Sequence, residues 1–179
     1  TAFCIPDQQM LDLVADSVLP SQTADPNQVG TATEHTLELV FLDSSVSNLD
    51  QIISDLKTEN AADSSRALEY IMLDSNRDGI AQITSALLNY NGIDGMHIVS
   101  HGSDGQVQLG STTLSLANLD RYRTAISAWQ HSMSDKADIL IYGCDVAASD
   151  NGQELLSQLS DLTRTDVASG EGFAAADVQ

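Results

Sequence analysis

Two short phrases hold the side chains most able to do covalent chemistry, Val99-Ser100-His101-Gly102-Ser103 and Ile141-Tyr142-Gly143-Cys144-Asp145. Each follows a compact apolar run that reads as a buried strand, and each ends in a reactive side chain beside a glycine. If the two strands are parallel neighbours, His101 and Cys144 emerge at one carboxyl edge, where open α/β sheets bind ligands. A thiol attacks a carbonyl only as thiolate, so a cysteine nucleophile needs a base or an electropositive neighbourhood. His101 can move protons in the working pH range and pass one to a leaving amine. Gly143 permits a sharp turn and close approach of substrate. The backbone N–H groups of Gly102 and Cys144 are candidate oxyanion donors. The plainer readings are a packed thiol and a turn histidine, because free cysteine is among the most buried residue types.

The elements that must position this pair follow from the hydrophobic pattern. Leu37–Leu42, Leu68–Leu73, Met96–Val99 and Ile139–Tyr142 read as strands, with a short fifth around Asp166–Ala168. Between them the spacing predicts helices over Leu49–Leu56, opened by Ser47 or Asn48, then Ile80–Leu88, Leu116–Trp129 and Gln153–Leu162. Strands separated by helices of this length imply right-handed crossovers and a mostly parallel sheet covered on both faces. Gln106–Leu116 departs from the alternation, with glycines flanking two short β-prone pieces, and reads as a small hairpin inserted after the histidine loop. Asp7–Leu19 has helical spacing and is followed by a Pro- and Ser-containing linker, so 1–33 reads as a separate stretch. The α/β domain is expected over 34–170, with 171–179 as a tail.

Composition excludes several partner classes. Acidic residues number 26 against 7 basic, net −19, which argues against nucleic acid, anionic lipid or polyphosphate. No apolar run approaches the ~20 residues of a membrane helix, so membrane insertion is not expected. The 42% hydrophobic content is enough for a packed core in one domain. The chain begins at Thr1 with neither methionine nor a signal peptide, and so reads as a piece of something longer. Its two cysteines, Cys4 and Cys144, lack the spacing of a disulfide framework or a zinc site and are expected to be free thiols. No cofactor and no metal enters the expected chemistry.

A strand ending in His-Gly, followed some forty residues later by a strand ending in Gly-Cys, resembles the caspase-like cysteine peptidases of clan CD, among them caspases, legumain, clostripain and gingipains. The resemblance implies a three-layer caspase-haemoglobinase-like sandwich in which the two residues end neighbouring strands. It makes His101 and Cys144 a catalytic dyad, with oxyanion donors at Gly102 and Cys144. Residues 37–168 also resemble a domain found near the N-terminus of giant bacterial surface and adhesin-like proteins. That likeness rests on Leu39-Val40-Phe41-Leu42-Asp43-Ser44-Ser45-Val46, Leu73-Asp74-Ser75-Asn76-Arg77-Asp78-Gly79-Ile80, His97-Ile98-Val99-Ser100-His101-Gly102 and Leu140-Ile141-Tyr142-Gly143-Cys144-Asp145-Val146-Ala147. With the acid-rich composition, it implies a secreted or cell-surface bacterial protein. The expected activity is a cysteine endopeptidase acting on a polypeptide, its own parent chain included. The rival is a binding or structural module of an adhesin that keeps the fold without catalysis.

Smaller features carry their own expectations. Asp43, ending the first strand, either lines a specificity pocket for Arg or Lys or caps the following helix. Asp74-Ser75-Asn76-Arg77-Asp78-Gly79 opens like a calcium loop, but its twelfth position is Ser85, not a bidentate glutamate, so a turn and helix start is expected. His97, inside a strand, reads as structural, and His131 as a favourable cation at a helix end. Leu116, Leu119, Tyr122, Ile126 and Trp129 read as core.

Overall fold

The computed structural model describes residues 35–143 and 145–170. The expected helix at Asp7–Leu19, its linker, Cys4, Cys144 and the tail 171–179 lie outside the described residues.

Strand β1 (Thr36–Asp43) is buried without interruption from Leu39 to its end, as a strand covered on both faces must be. It is followed by α1 (Leu49–Ala62), β2 (Arg66–Leu73), α2 (Gly79–Leu87) and β3 (Ile93–Val99). Three short strands come next, β4 (Gly102–Ser103), β5 (Gln106–Leu109) and β6 (Thr112–Ser115). Then α3 (Leu119–Ala128) passes through a single 3-10 turn, Trp129–His131, into β7 (Met133–Tyr142), and α4 (Asp150–Thr163) leads to β8 (Asp166–Gly170).

The central sheet has five strands in the order β2-β1-β3-β7-β8, and every pairing in it is parallel. The chain first steps from β1 outward to β2, then reverses past β1 to build β3, β7 and β8. Right-handed crossovers require helices on opposite faces for the two directions, and the cores show this. Val40, Leu42 and Val99 pack with Leu56, Ile52 and Ile53 of α1 on one face. Leu39, Phe41, Met96, Ile98, Ile139 and Ile141 pack with α2, α3 and α4 on the other. The described residues therefore form a mixed α/β fold, a parallel five-stranded sheet between helices with a small antiparallel sheet of three strands, β4-β5-β6.

Several boundaries differ from the pattern reading for physical reasons. The expected hairpin at Gln106–Leu116 gains β4 as a third strand, because Gly102 and Ser103 pair with Val107 and Gln106. Helix α1 runs to Ala62 although its apolar stripe ends at Leu56, since its last turns lie largely on the surface. Strand β7 begins at Met133, six residues before the apolar run, through a stretch that exposes Asp135, Lys136 and Asp138. Helix α3 starts at Leu119, where Asn118 precedes it, and Trp129 belongs to the 3-10 turn. Among the described residues no helix is long and apolar enough to cross a membrane.

Candidate functional site

The register aligns the carboxyl ends of three strands. Leu42 pairs with Val99, and Val99 with Tyr142, each at or next to the end of its strand. His101 lies two residues beyond Val99, as Cys144 lies two residues beyond Tyr142 in sequence. The direction of winding reverses between β1 and β3, so His101 sits at the topological switch point, where the crevice of an open α/β sheet opens.

Three contacts hold the histidine loop against the end of β7 and the segment after it. Ser100 N–H donates to the Tyr142 carbonyl at 3.0 Å, extending the ladder by one residue. A Cβ on Gly143 would lie 3.0 Å from Gly102 N and 3.1 Å from Gly102 Cα, so the two backbones meet where neither residue has a side chain. Gly105 N–H donates to the Val146 carbonyl at 3.1 Å, and its φ of 69° is one that glycine adopts without strain. These contacts lie on both sides of position 144, which itself is outside the described residues. The Gly102 nitrogen, whose N–H is an expected oxyanion donor, lies beside Gly143.

His101 is exposed, and its ring is held from behind. Nε2 lies 3.1 Å from the backbone carbonyl of Ser45. A carbonyl only accepts, so Nε2 carries the proton and, in the neutral ring, Nδ1 keeps the basic lone pair. The backbone of the same residue is fixed by Gln108, whose N–H donates to the His101 carbonyl at 2.8 Å. Ser100 adds a bond from Oγ to the Gln108 carbonyl. The small sheet thus clamps the histidine loop. Asp145 follows with φ 56°, and Gly143, Asp145, Val146, Ala147, Ala148, Ser169 and Gly170 line an open cleft at the ends of β7 and β8.

Asp43 corrects the pocket expectation. It is fully buried. One carboxylate oxygen accepts from Ser45 N–H at 2.9 Å and Ser45 Oγ–H at 2.6 Å, the other from Gly110 N–H at 2.6 Å. Side chains of Arg or Lys from a substrate have no open face of this carboxylate to meet. Nor does it cap α1, which starts six residues later after Asn48, with no side-chain cap bond. It anchors the turn after β1 to the turn between β5 and β6.

The Asp74–Gly79 loop forms a turn and helix start. Asp74 Oδ1 accepts from Asn76 N–H at 2.9 Å, and Asp78 caps α2 by accepting from Ala81 N–H at 3.1 Å. Tyr122 Oη–H donates to the other Asp78 oxygen at 3.1 Å. Among the described residues no group of three His, Cys, Asp or Glu side chains is arranged to hold a metal ion.

His97 belongs to a network the pattern reading left out. Arg66 grips Glu38 with two hydrogen bonds, Nε to Oε1 at 2.7 Å and the guanidinium NH2 to Oε2 at 2.6 Å. His97 Nε2 donates to Glu38 Oε2 at 2.8 Å, and its Nδ1 lies 3.3 Å from the Tyr142 hydroxyl. The His97 and Tyr142 rings stack with centroids 5.9 Å apart. Hydrogen bonding from Arg66, opposed by burial and helped by His97, holds the Glu38 carboxyl below its usual range. This ladder crosses β2, β1, β3 and β7 on the α1 face and ends on the residue before Gly143. Parity places Glu38 and His97 on one sheet face, but pairing across strands needs the register, which the sequence does not supply.

Comparison with known families places the chain. Residues 39–173 match the family described as "Domain of unknown function (DUF4347)", which covers well over half of the chain. No curated protein and no solved structure matches.

Proposed function

We propose, for a chain that belongs to the DUF4347 family, that it is a caspase-like cysteine endopeptidase with Cys144 as nucleophile and His101 as proton carrier. The observation that carries this reading is the meeting of Gly102 with Gly143 at the ends of adjacent parallel strands. It sets the histidine loop against Gly143, the residue that precedes Cys144 in the sequence, at one edge of the sheet.

The Cys144 thiol gives its proton to His101 and the thiolate attacks a peptide carbonyl. The C–O double bond opens to an oxyanion facing backbone N–H donors, for which Gly102 and Cys144 are the candidates. Collapse breaks the C–N bond, and the proton held by His101 passes to the departing amine. Water, deprotonated by His101, then hydrolyses the thioester, and the proton returns to the thiol. Ser45, by accepting from Nε2, keeps Nδ1 as the nitrogen that exchanges protons. The substrate is a polypeptide, and a segment of the parent surface protein is the one held nearby at high effective concentration.

The test is self-cleavage of a longer parent chain compared with its Cys144→Ala and His101→Ala forms. Both variants are expected to abolish cutting, because nucleophile and proton carrier act as one unit. Cleavage that survives Cys144→Ala refutes the reading. If the wild type cuts neither its parent nor a peptide library, the domain is a binding module. Rapid alkylation of Cys144 by iodoacetamide near neutral pH is expected of an activated thiol.

A further inference from the structure

We infer that Asp43 is a positioning residue for His101, acting through the Ser45 turn. As a statement about catalysis it rests on the peptidase reading above. As a statement about the state of the His101 ring it does not. Asp43 is a carboxylate without solvent exposure, and burial of that kind is costly unless hydrogen bonds compensate. Its three donors divide between two structures. Ser45 supplies two, its N–H at 2.9 Å and its hydroxyl at 2.6 Å, and Gly110 supplies the third at 2.6 Å.

Each end of this bridge has a defined function. Gly110 is a fixed point. It is buried with φ 59°, and a Cβ there would press on the Asp74 carbonyl at 2.8 Å and still harder on that of Arg77. It also pairs with Asp78, the cap of α2. Ser45 is the exposed end, and its carbonyl is the atom that accepts from His101 Nε2 at 3.1 Å. Asp43 therefore ties the turn that carries the Ser45 carbonyl to a rigid part of the core. The carbonyl in turn selects the ring tautomer that leaves Nδ1 basic. A carboxylate suits this position because both oxygens accept. In Asp43→Asn one end becomes an NH2 group, which sets a donor against the N–H of either Gly110 or Ser45.

The experiment is long-range nitrogen-15 NMR of the histidine rings in the whole chain, for wild type, Asp43→Asn and the milder Ser45→Ala, with kcat and KM where cleavage is measurable. Wild type is expected to hold His101 as the Nε2–H tautomer. Asp43→Asn is expected to release it into a mixture of tautomers and to lower kcat about tenfold to a hundredfold with KM little changed, as for a misplaced catalytic group. Ser45→Ala removes one of the three bonds and is expected to shift the mixture less, in the same direction. A folded Asp43→Asn that keeps the wild-type tautomer and kcat overturns the proposal and leaves the peptidase reading standing. If Asp43→Asn does not fold, Ser45→Ala decides, and an unchanged tautomer there overturns it. A tautomer released by Asp43→Asn in a chain that never cleaves supports the positioning role while refuting the peptidase.

Discussion

Gly143→Ala tests the closeness on which the site depends. The added methyl carbon would lie 3.0 Å from Gly102 N, 3.1 Å from Gly102 Cα and 3.3 Å from Val146 Cγ2. Ordinary van der Waals contact begins at about 3.4 Å, so the Gly102 and Gly143 backbones must separate by roughly 0.4 Å. Both are held by ladder and loop bonds on either side, at Ser100 to Tyr142 and Gly105 to Val146, so the strain has no flexible side chain to absorb it. Overpacking of this kind costs about 1–3 kcal/mol. For a domain of this size about 2 kcal/mol lowers Tm by roughly 5–10 °C. The same separation moves the histidine loop away from the segment after Tyr142, and a displacement of a few tenths of an ångström is expected to lower cleavage about tenfold. Calorimetry or circular-dichroism melting gives the first quantity, and alkylation of Cys144 and self-cleavage give the second. A variant with wild-type Tm, alkylation rate and cleavage refutes the reasoning, because the loops then have slack where close contact is required.

Glu38→Gln keeps the shape of the ladder but removes the charge that Arg66 and His97 bind, at an expected cost of about 2–3 kcal/mol near neutral pH, read from urea midpoints. The Glu38 carboxyl is held below its usual range, so its contribution is full above the ordinary glutamate range and lost as pH falls through the lowered value. Stability of the variant should therefore decline less steeply than wild type between pH of about 5 and 3, and parallel curves would refute the assignment. Asp78→Ala removes the cap of α2 and the partner of Tyr122, with an expected loss of about 1–2 kcal/mol by chemical denaturation. Millimolar calcium is expected to leave the Tm of the wild type unchanged, and a rise abolished by Asp78→Ala would make the Asp74–Gly79 turn a metal site. Gly110→Ala should destabilise by at least about 2 kcal/mol, because it adds a left-handed strain to contact with backbone carbonyls.

Much of the sheet is legible because its strands are buried on both faces. Leu39 to Leu42 and Met96 to Val99 are continuous apolar runs, and such runs separated by helices admit few topologies. The alternation leaves open whether the strand before His101 and the strand ending at Tyr142 are neighbours, and the pairing of β3 with β7 supplies that adjacency. What escapes the pattern is whatever depends on register or backbone. Met133–Asp138 does not read as strand, since the exposed charges Asp135, Lys136 and Asp138 break the apolar run. The Ser45 carbonyl has no side-chain signature at all. Asp43 illustrates the limit best, because a carboxylate at a strand end has the same appearance whether it faces a pocket or three internal donors.

The small antiparallel sheet ties together the carboxyl edge of an otherwise ordinary parallel fold. Loops at that edge tend to be mobile, since they connect elements across the surface. Here the chain after His101 turns at once into β4, pairs with β5 and returns through β6, so the histidine loop is part of a sheet. Gln108 fixes the His101 backbone, Gly105 reaches Val146 beyond position 144, and Gly110 reaches Asp43 at the end of β1. One insertion of short strands thus touches all three segments that meet at the switch point. Loosening it at any of the three should reach the imidazole as well as the melting temperature, whereas a merely decorative hairpin would lose only stability. That difference separates a scaffold built around His101 from one that happens to carry a histidine there.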